Sequence, residues 1–338
     1  MTNDASGTGP TDDATPDDGG RGHGRSALPS QVRAARSEFE HQIGRARAEF
    51  EEANERINAR TGRNLLMATV IGLAIGAVVL GTLLIVKWAF LVFAVPLCLL
   101  GIFEFARALQ ASGRRVDVVS QLLAGVFIMA AAAFADPLTH WVVTVATVFF
   151  VVIWRLIGQM AARDGRRYGD VVSDVVVTGF VPLYVGFLGS FAFLLLREDH
   201  GQLWLVAVLA VVVAADTGAY AAGLAFGRHA MAPKISPNKT WEGFAGAMVA
   251  AVTAAVLFAL FLLGLPWWAG AILGVAILVT ATLGDLGESM IKRDLGIKDM
   301  SSWLPGHGGV LDRLDSILPS LATGFALFLL LSPLSTLS

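Results

Sequence analysis

The residues able to do chemistry collect in two short stretches of the chain. The first reads Asp216-Thr-Gly-Ala-Tyr220, then Gly227-Arg-His229, then Pro233-Lys-Ile-Ser-Pro-Asn-Lys-Thr-Trp-Glu-Gly243. Lys234, Ser236, Asn238, Lys239 and Thr240 put two cations, two hydroxyls and an amide within seven residues. Pro233 and Pro237 keep this segment non-helical and stiff. A run of donors that leads into a helix near Trp241 suits a polyphosphate. The spacing does not match Gly-x-x-x-x-Gly-Lys-Ser/Thr, so it is no P-loop. The same composition also suits a basic juxtamembrane loop lying against anionic headgroups.

The second stretch reads Gly284-Asp-Leu-Gly-Glu-Ser-Met-Ile-Lys-Arg293, then Asp294-Leu-Gly-Ile-Lys-Asp299, then Leu304-Pro-Gly-His-Gly-Gly-Val-Leu-Asp-Arg-Leu-Asp-Ser316. Asp285, Glu288 and Lys292 stand at i, i+3 and i+7, which places them on one helix face. Asp312 and Asp315 are likewise three apart. Acids at membrane depth are costly and call for a cation or a partner. Two helix ends that present carboxylates across a polar loop suit a hard divalent ion, since Mg²⁺ takes one or two carboxylates plus substrate phosphates. Gly306, Gly308 and Gly309 permit a tight turn or a close backbone approach around His307. His307 itself has three open roles: base, phosphate donor, or stabiliser of the turn. Glu104, Asp164, Asp170 and Asp174 are expected to serve interhelical hydrogen bonding or topology.

The elements that must position these residues follow from composition. The chain has 338 residues, 55% hydrophobic and 15% charged, with a mean hydropathy of +0.65. Residues 1–63 carry 20 of its 52 charges, which leaves 32 for the other 275 residues. That is too few to cover a soluble protein of this size. The expected fold is an all-α, polytopic integral membrane protein of about nine transmembrane helices behind a polar N-terminal extension. The spans are expected near 64–86, 88–109, 119–136, 138–157, 172–196, 202–225, 243–264, 267–287 and 315–335. With the N-terminus cytoplasmic, 14 basic residues fall in cytoplasmic connections against only Lys87 and Arg197 outside. Both chemical stretches then face the cytoplasm.

The extension divides in two. Residues 1–29, rich in Gly, Asp, Thr, Ser and Pro, read as a disordered tail. From Ser30 to residue 63 an apolar residue recurs at steps of three and four. That spacing predicts an amphipathic helix on the membrane surface, a coiled-coil-like contact, or a solvated helix leading into the first span. The first apolar run follows this charged stretch, so no signal peptide is expected. Residues 64–338 are expected to form the transmembrane catalytic domain. A net charge of −2 predicts no nucleic-acid partner, and the lone Cys98 excludes an intramolecular disulfide.

Ser289-x-x-Lys-Arg-x-x-x-x-Lys-Asp-x-Ser-x-x-Leu-Pro-x-His-Gly-Gly-Val-x-Asp-Arg-Leu-Asp315 resembles the C-terminal signature of phosphatidate cytidylyltransferases (CDP-diacylglycerol synthases) at all 27 positions. The segments beginning at Asp216 and Pro233 are similar to other blocks of that family. The resemblance covers about residues 64–335 and leaves out the first 63. It implies an all-helical membrane enzyme, often a dimer, that turns CTP and phosphatidic acid into CDP-diacylglycerol and pyrophosphate with Mg²⁺. Asp285 and Asp312 match the carboxylates expected to hold the metal, and Asp216 an acid lining the same cavity. Lys234, Ser236, Asn238 and Lys239 match the nucleotide-phosphate region. Lys292, Arg293 and Lys298 match cations for the phosphates of CTP or lipid, while His307 and Arg313 fall inside the signature.

Two other classes remain as alternatives. A CTP-dependent polyprenol or phytol kinase would transfer the γ-phosphoryl group and release CDP. A membrane transporter would use its intramembrane acids for ion coupling near the bilayer midplane, whereas the polar residues here cluster at one face.

Overall fold

The computed structural model describes residues 65–162, 165–301 and 308–337. The expected tail, the expected helix over 30–63, Asp164 and His307 lie outside the described residues. In hydrocarbon, each backbone N–H and C=O must be satisfied within its own segment, so the apolar runs become helices. In chain order these are α1 (Leu65–Ile85), α2 (Ala89–Ala111), α3 (Val118–Phe134), α4 (Pro137–Ala161), α5 (Tyr168–Val181), α6 (Leu188–Arg197) and α7 (Gly201–Phe226). After a β-hairpin come α8 (Trp241–Phe261), α9 (Trp267–Asp294), the single turn α10 (Leu311–Leu314) and α11 (Ile317–Leu331).

Seven stretches of the described residues are long and apolar enough to cross a membrane: α2, α4, α5–α6, α7, α8, α9 and α10–α11 with its terminal turn. α3, with 17 residues, and the Gly76–Ile85 part of α1 are apolar but shorter. Length and composition therefore support seven spans, and the figure of about nine stands as an expectation from the sequence.

The helix ends are written locally. Asp117, Asp136 and Thr240 are N-caps whose side chains accept the backbone N–H of Ser120 (3.1 Å), Thr139 (3.0 Å) and Gly243 (3.1 Å). Bonds from the Thr139 hydroxyl and backbone hold the Asp136 carboxyl below the ordinary carboxylate range. Pro182 has no N–H to continue an α-helical ladder. The chain passes there through one π-turn, Pro182–Phe187, between α5 and α6.

Lipid tails are as apolar as leucine, so packing between spans depends on close van der Waals contact at small residues. α7 and α8 meet at Gly218 and Gly246. A methyl group on either would stand 2.7 Å from the carbonyl oxygen of the other. On α8, Ala251 and Ala255 are fully buried and seat Gly274 of α9. The stretch Tyr168–Arg197 is the most enclosed, 61% buried, whereas only 17% of α4 is buried.

Among the described residues, a two-stranded sheet departs from an all-helical reading. β1 (Ala230–Ala232) pairs antiparallel with β2 (Ser236–Thr240), with Ala230 opposite Thr240 and Ala232 opposite Ser236. Ser236, Asn238 and Lys239 thus lie on a strand rather than in a loop. The hairpin is anchored by Glu242 in the first turn of α8. Its Oε2 accepts the backbone N–H of Arg228 (3.1 Å) and His229 (3.2 Å), and His229 Nδ1 lies 2.6 Å from its Oε1.

Candidate active site

The second chemical stretch is helical for longer than its hydropathy suggests. α9 runs to Asp294, beyond the expected end near 287. Leu, Glu, Met, Lys and Arg in this segment are good helix formers, and Lys292 and Arg293 in the last turn oppose the helix dipole. Asp285, Glu288 and Lys292 therefore lie on a helix as their spacing predicts. Gly284 brings that helix against the last span: a methyl group there would stand 2.2 Å from the Asp315 carbonyl oxygen. Only a hydrogen side chain lets the two acidic segments meet.

Their side chains form two bonded groups along one face of α9. Lys292 Nζ lies 3.0 Å from Glu288 Oε2 and 2.8 Å from Asp312 Oδ1. Asp312 Oδ2 also accepts the backbone N–H of Gly309 (2.7 Å) and Met300 (3.1 Å). Lys239, reaching across from β2, pairs with Asp285, and Ser289 Oγ donates to Asp285 Oδ1 at 3.4 Å. The carboxyl groups of Glu288 and Asp315 lie close to each other. Asp216 on α7 is solvent-accessible and close to Asp285, Asp315, Lys239 and Arg313.

Two acids and a tyrosine complete the frame. Glu104 on α2 is 3% exposed. It accepts the Ser301 hydroxyl (2.5 Å) and the Leu311 backbone N–H (2.9 Å), tying both residues to α2. The expectation of interhelical hydrogen bonding holds for Glu104 and equally for Asp174, which binds Arg155 and Arg166. Tyr184, in the π-turn, places a buried hydroxyl near Glu288, Asp315 and Asp285, with no hydrogen-bond partner among the described residues. The sequence reading missed Tyr184; a hydroxyl two residues after a proline inside an apolar run was the available signal.

Of the expected site residues, the structure brings together Asp216, Lys239, Asp285, Lys292 and Asp312, with Glu288 and Asp315 added. Arg293 Nε donates to the Ile235 carbonyl at 3.2 Å, which ties α9 to the hairpin turn beside Lys234 and Ser236. Lys234, Asn238 and Lys298 are exposed. Ser236 is half-buried, and none of these four side chains has a hydrogen bond or ion pair among the described residues.

No group of three or more His, Cys, Asp or Glu residues is arranged to hold a metal among the described residues. A hard cation such as Mg²⁺ asks for less, because phosphates and water complete its shell. Glu288 Oε1 is buried without a hydrogen-bond partner among the described residues, beside the Asp315 carboxyl. An acceptor-only oxygen so placed matches a cation, so the donor set fits the ion.

Comparison with known proteins agrees with this chemistry. The model of the cytidylyltransferase family matches residues 66–331. The chain belongs to that family. A phosphatidate cytidylyltransferase of Mycobacterium bovis is 39% identical over 281 residues, covering 81% of this chain and 91% of the relative. One from Mycobacterium leprae is 38% identical over 290 residues, covering 80% of this chain and 90% of the relative. A Haemophilus influenzae phosphatidate cytidylyltransferase is 49% identical over a shorter stretch of 123 residues, 35% of this chain and 43% of the relative. The family match spans the whole carboxylate–lysine cluster and stops outside the polar extension.

Proposed function

We propose that this cytidylyltransferase-family protein transfers a cytidylyl group from CTP to phosphatidic acid at the cytoplasmic face of the cell membrane. The products are CDP-diacylglycerol and pyrophosphate. The observation that carries this reading is that one face of α9 holds two sets of ion pairs, Lys239–Asp285 and Glu288–Lys292–Asp312, at one end of apolar, lipid-length helices. The phosphate monoester of the lipid is already anionic and nucleophilic, so no strong base is required. Its oxygen forms a bond to the α-phosphorus of CTP as the bond to the bridging oxygen breaks, and pyrophosphate leaves. The barrier to overcome is repulsion between two polyanions.

Lys239 and Lys292 supply the cancelling charge by exchanging a carboxylate partner for a phosphate oxygen. Lys234, Arg293 and Lys298 stand at the rim to draw in the triphosphate or the lipid headgroup. Ser236 and Asn238 present donors from β2. Mg²⁺ held by Asp285 and Asp312 would neutralise the phosphates and the leaving pyrophosphate. The same reading takes the protein as a homodimer with a cytoplasmic N-terminus. Relatives named phosphatidate cytidylyltransferase support the choice of substrates.

Purified protein given CTP labelled at the α-phosphate, Mg²⁺ and phosphatidic acid tests the proposal. Label in the lipid phase, with pyrophosphate released, is expected. Label left in aqueous CDP would replace the reaction with γ-phosphoryl transfer to an alcohol.

A further inference from the structure

A cavity lies toward the other end of the helices from the carboxylates described above. α6 ends at Arg197, about 20 Å of helix beyond Tyr184. Beside that end, α4, α6 and α11 enclose about 490 Å³, lined by Trp141, Phe191, Phe325 and Leu329 among others. Its wall is a run of aromatic contacts. Trp141 packs on Phe187 with ring centroids 5.1 Å apart, Phe187 on Phe191 at 5.0 Å, and Phe191 on Phe325 at 5.6 Å. Trp141 and Leu329 are both exposed, so the cavity opens on the lipid-facing side of the helices. Tryptophan near a span end sits at the membrane interface, with its apolar body in the acyl region.

Two opposite charges line the same cavity, Arg197 and Glu198. Arg197 is exposed. Its Nη1 donates to the carbonyls of Ala132 (3.1 Å) and Ala135 at the end of α3. The N–H donors of its Nε and Nη2 have no acceptor among the described residues. Glu198 is half-buried, and its carboxylate has no hydrogen bond or ion pair among the described residues. The two side chains therefore do not satisfy each other. A cation and an anion, adjacent but unpaired beside one apolar cavity, complement a zwitterion that carries an apolar tail.

We propose that this cavity binds a phospholipid with a primary-ammonium headgroup. Its phosphate meets Arg197, its ammonium meets Glu198, and one acyl chain lies along Trp141, Phe191, Phe325 and Leu329. The cavity volume falls within the range of about 300–1,000 Å³ usual for small-molecule sites. A quaternary ammonium has no N–H to donate to Glu198, and a glycerol headgroup brings it no positive charge. A soluble phosphoethanolamine shares the headgroup's chemistry but would gain nothing from the apolar wall. The site shares no residue with the carboxylate–lysine cluster, so it does not depend on which reaction that cluster performs.

Native mass spectrometry of the full chain in detergent tests this, with phosphatidylethanolamine, phosphatidylcholine and phosphatidylglycerol as the lipid probes. Phosphatidylethanolamine should be retained more strongly than the other two. Glu198→Gln should weaken it about fivefold, the upper range for one exposed ion pair, and leave phosphatidylcholine unchanged. Glu198→Asp should recover part of the loss. Ala326→Phe, which fills the cavity from α11, should weaken all three lipids. Glu198 gives up no partner within the chain, so Glu198→Gln should fold, and an unaltered melting curve confirms it. Equal retention of phosphatidylethanolamine and phosphatidylcholine by the wild type overturns the proposal. So does a folded Glu198→Gln protein with unchanged phosphatidylethanolamine binding. Displacement of the lipid by millimolar phosphoethanolamine would overturn the assignment to lipid. A lipid-free dimer that Ala326→Phe breaks apart would give the cavity to a second copy of the chain and overturn it as well.

Discussion

Gly284→Ala adds one methyl group at the place where α9 crosses the last span. The new carbon would stand 2.2 Å from the Asp315 carbonyl oxygen and 2.8 Å from Pro319 Cγ. Reaching a tolerable 3.0 Å requires a retreat of about 0.8 Å between α9 and the α10–α11 segment. Overpacking of this kind costs about 1–3 kcal/mol, but replacing glycine by alanine within a helix returns about 1 kcal/mol. The net loss of stability is therefore small, and melting is a poor readout. Geometry is a better one, because Asp285, Glu288 and Lys292 ride on one side of the crossing and Asp312 and Asp315 on the other. A displacement near 1 Å costs on the order of 100-fold in rate. Gly284→Ala is thus expected to lower the kcat of cytidylyl transfer about 100-fold while the protein still folds. Gly287→Ala, one turn along in open space, serves as the control and should keep its rate and melt no lower than wild type. A Gly284→Ala protein with wild-type kcat would refute the claim that this crossing sets the site.

Lys292→Met strands the Glu288 and Asp312 carboxylates, and loss of one partner from a buried pair costs about 3–5 kcal/mol. A large fall in melting temperature together with loss of turnover is the expected result. Glu104→Ala removes the acceptor for Leu311 N–H and Ser301 Oγ. Charge-assisted bonds of this kind contribute about 1.5–3 kcal/mol; the variant should melt earlier and lose activity, although Glu104 is not within the carboxylate–lysine cluster. Asp285→Asn and Asp312→Asn should each abolish activity that Mg²⁺ restores to the chelator-treated wild type. Near-wild-type turnover by either variant would remove these two carboxylates from the proposed metal site.

Much of the site was legible before any coordinates. The i, i+3, i+7 spacing of Asp285, Glu288 and Lys292 needed only helical periodicity, and α9 obeys it. A helix was expected to begin near Trp241, as α8 does, and the scarcity of charge after residue 63 announced spans. Other features were not legible because they depend on partners distant in sequence. Lys239 and Asp285 are far apart in the chain, and nothing local to either says they pair. Tyr184 looked like one more residue of an apolar run until the π-turn placed it near three acids. The hairpin was missed because its strands are short and carry Pro237, which favours a loop reading.

Composition, periodicity and the matched blocks by themselves determined a helical membrane protein, the identity of its charged residues, and the two stretches in which they lie. These are properties of single segments, fixed by the demand that backbone polar groups be satisfied in hydrocarbon. Tertiary structure decided which lysine faces which carboxylate, that Glu104 and Asp174 hold segments in place, and that α9 meets the last span at Gly284. Those outcomes depend on how closely two helices approach. In a membrane that distance is set by the fit of small residues between spans, which no segment carries alone.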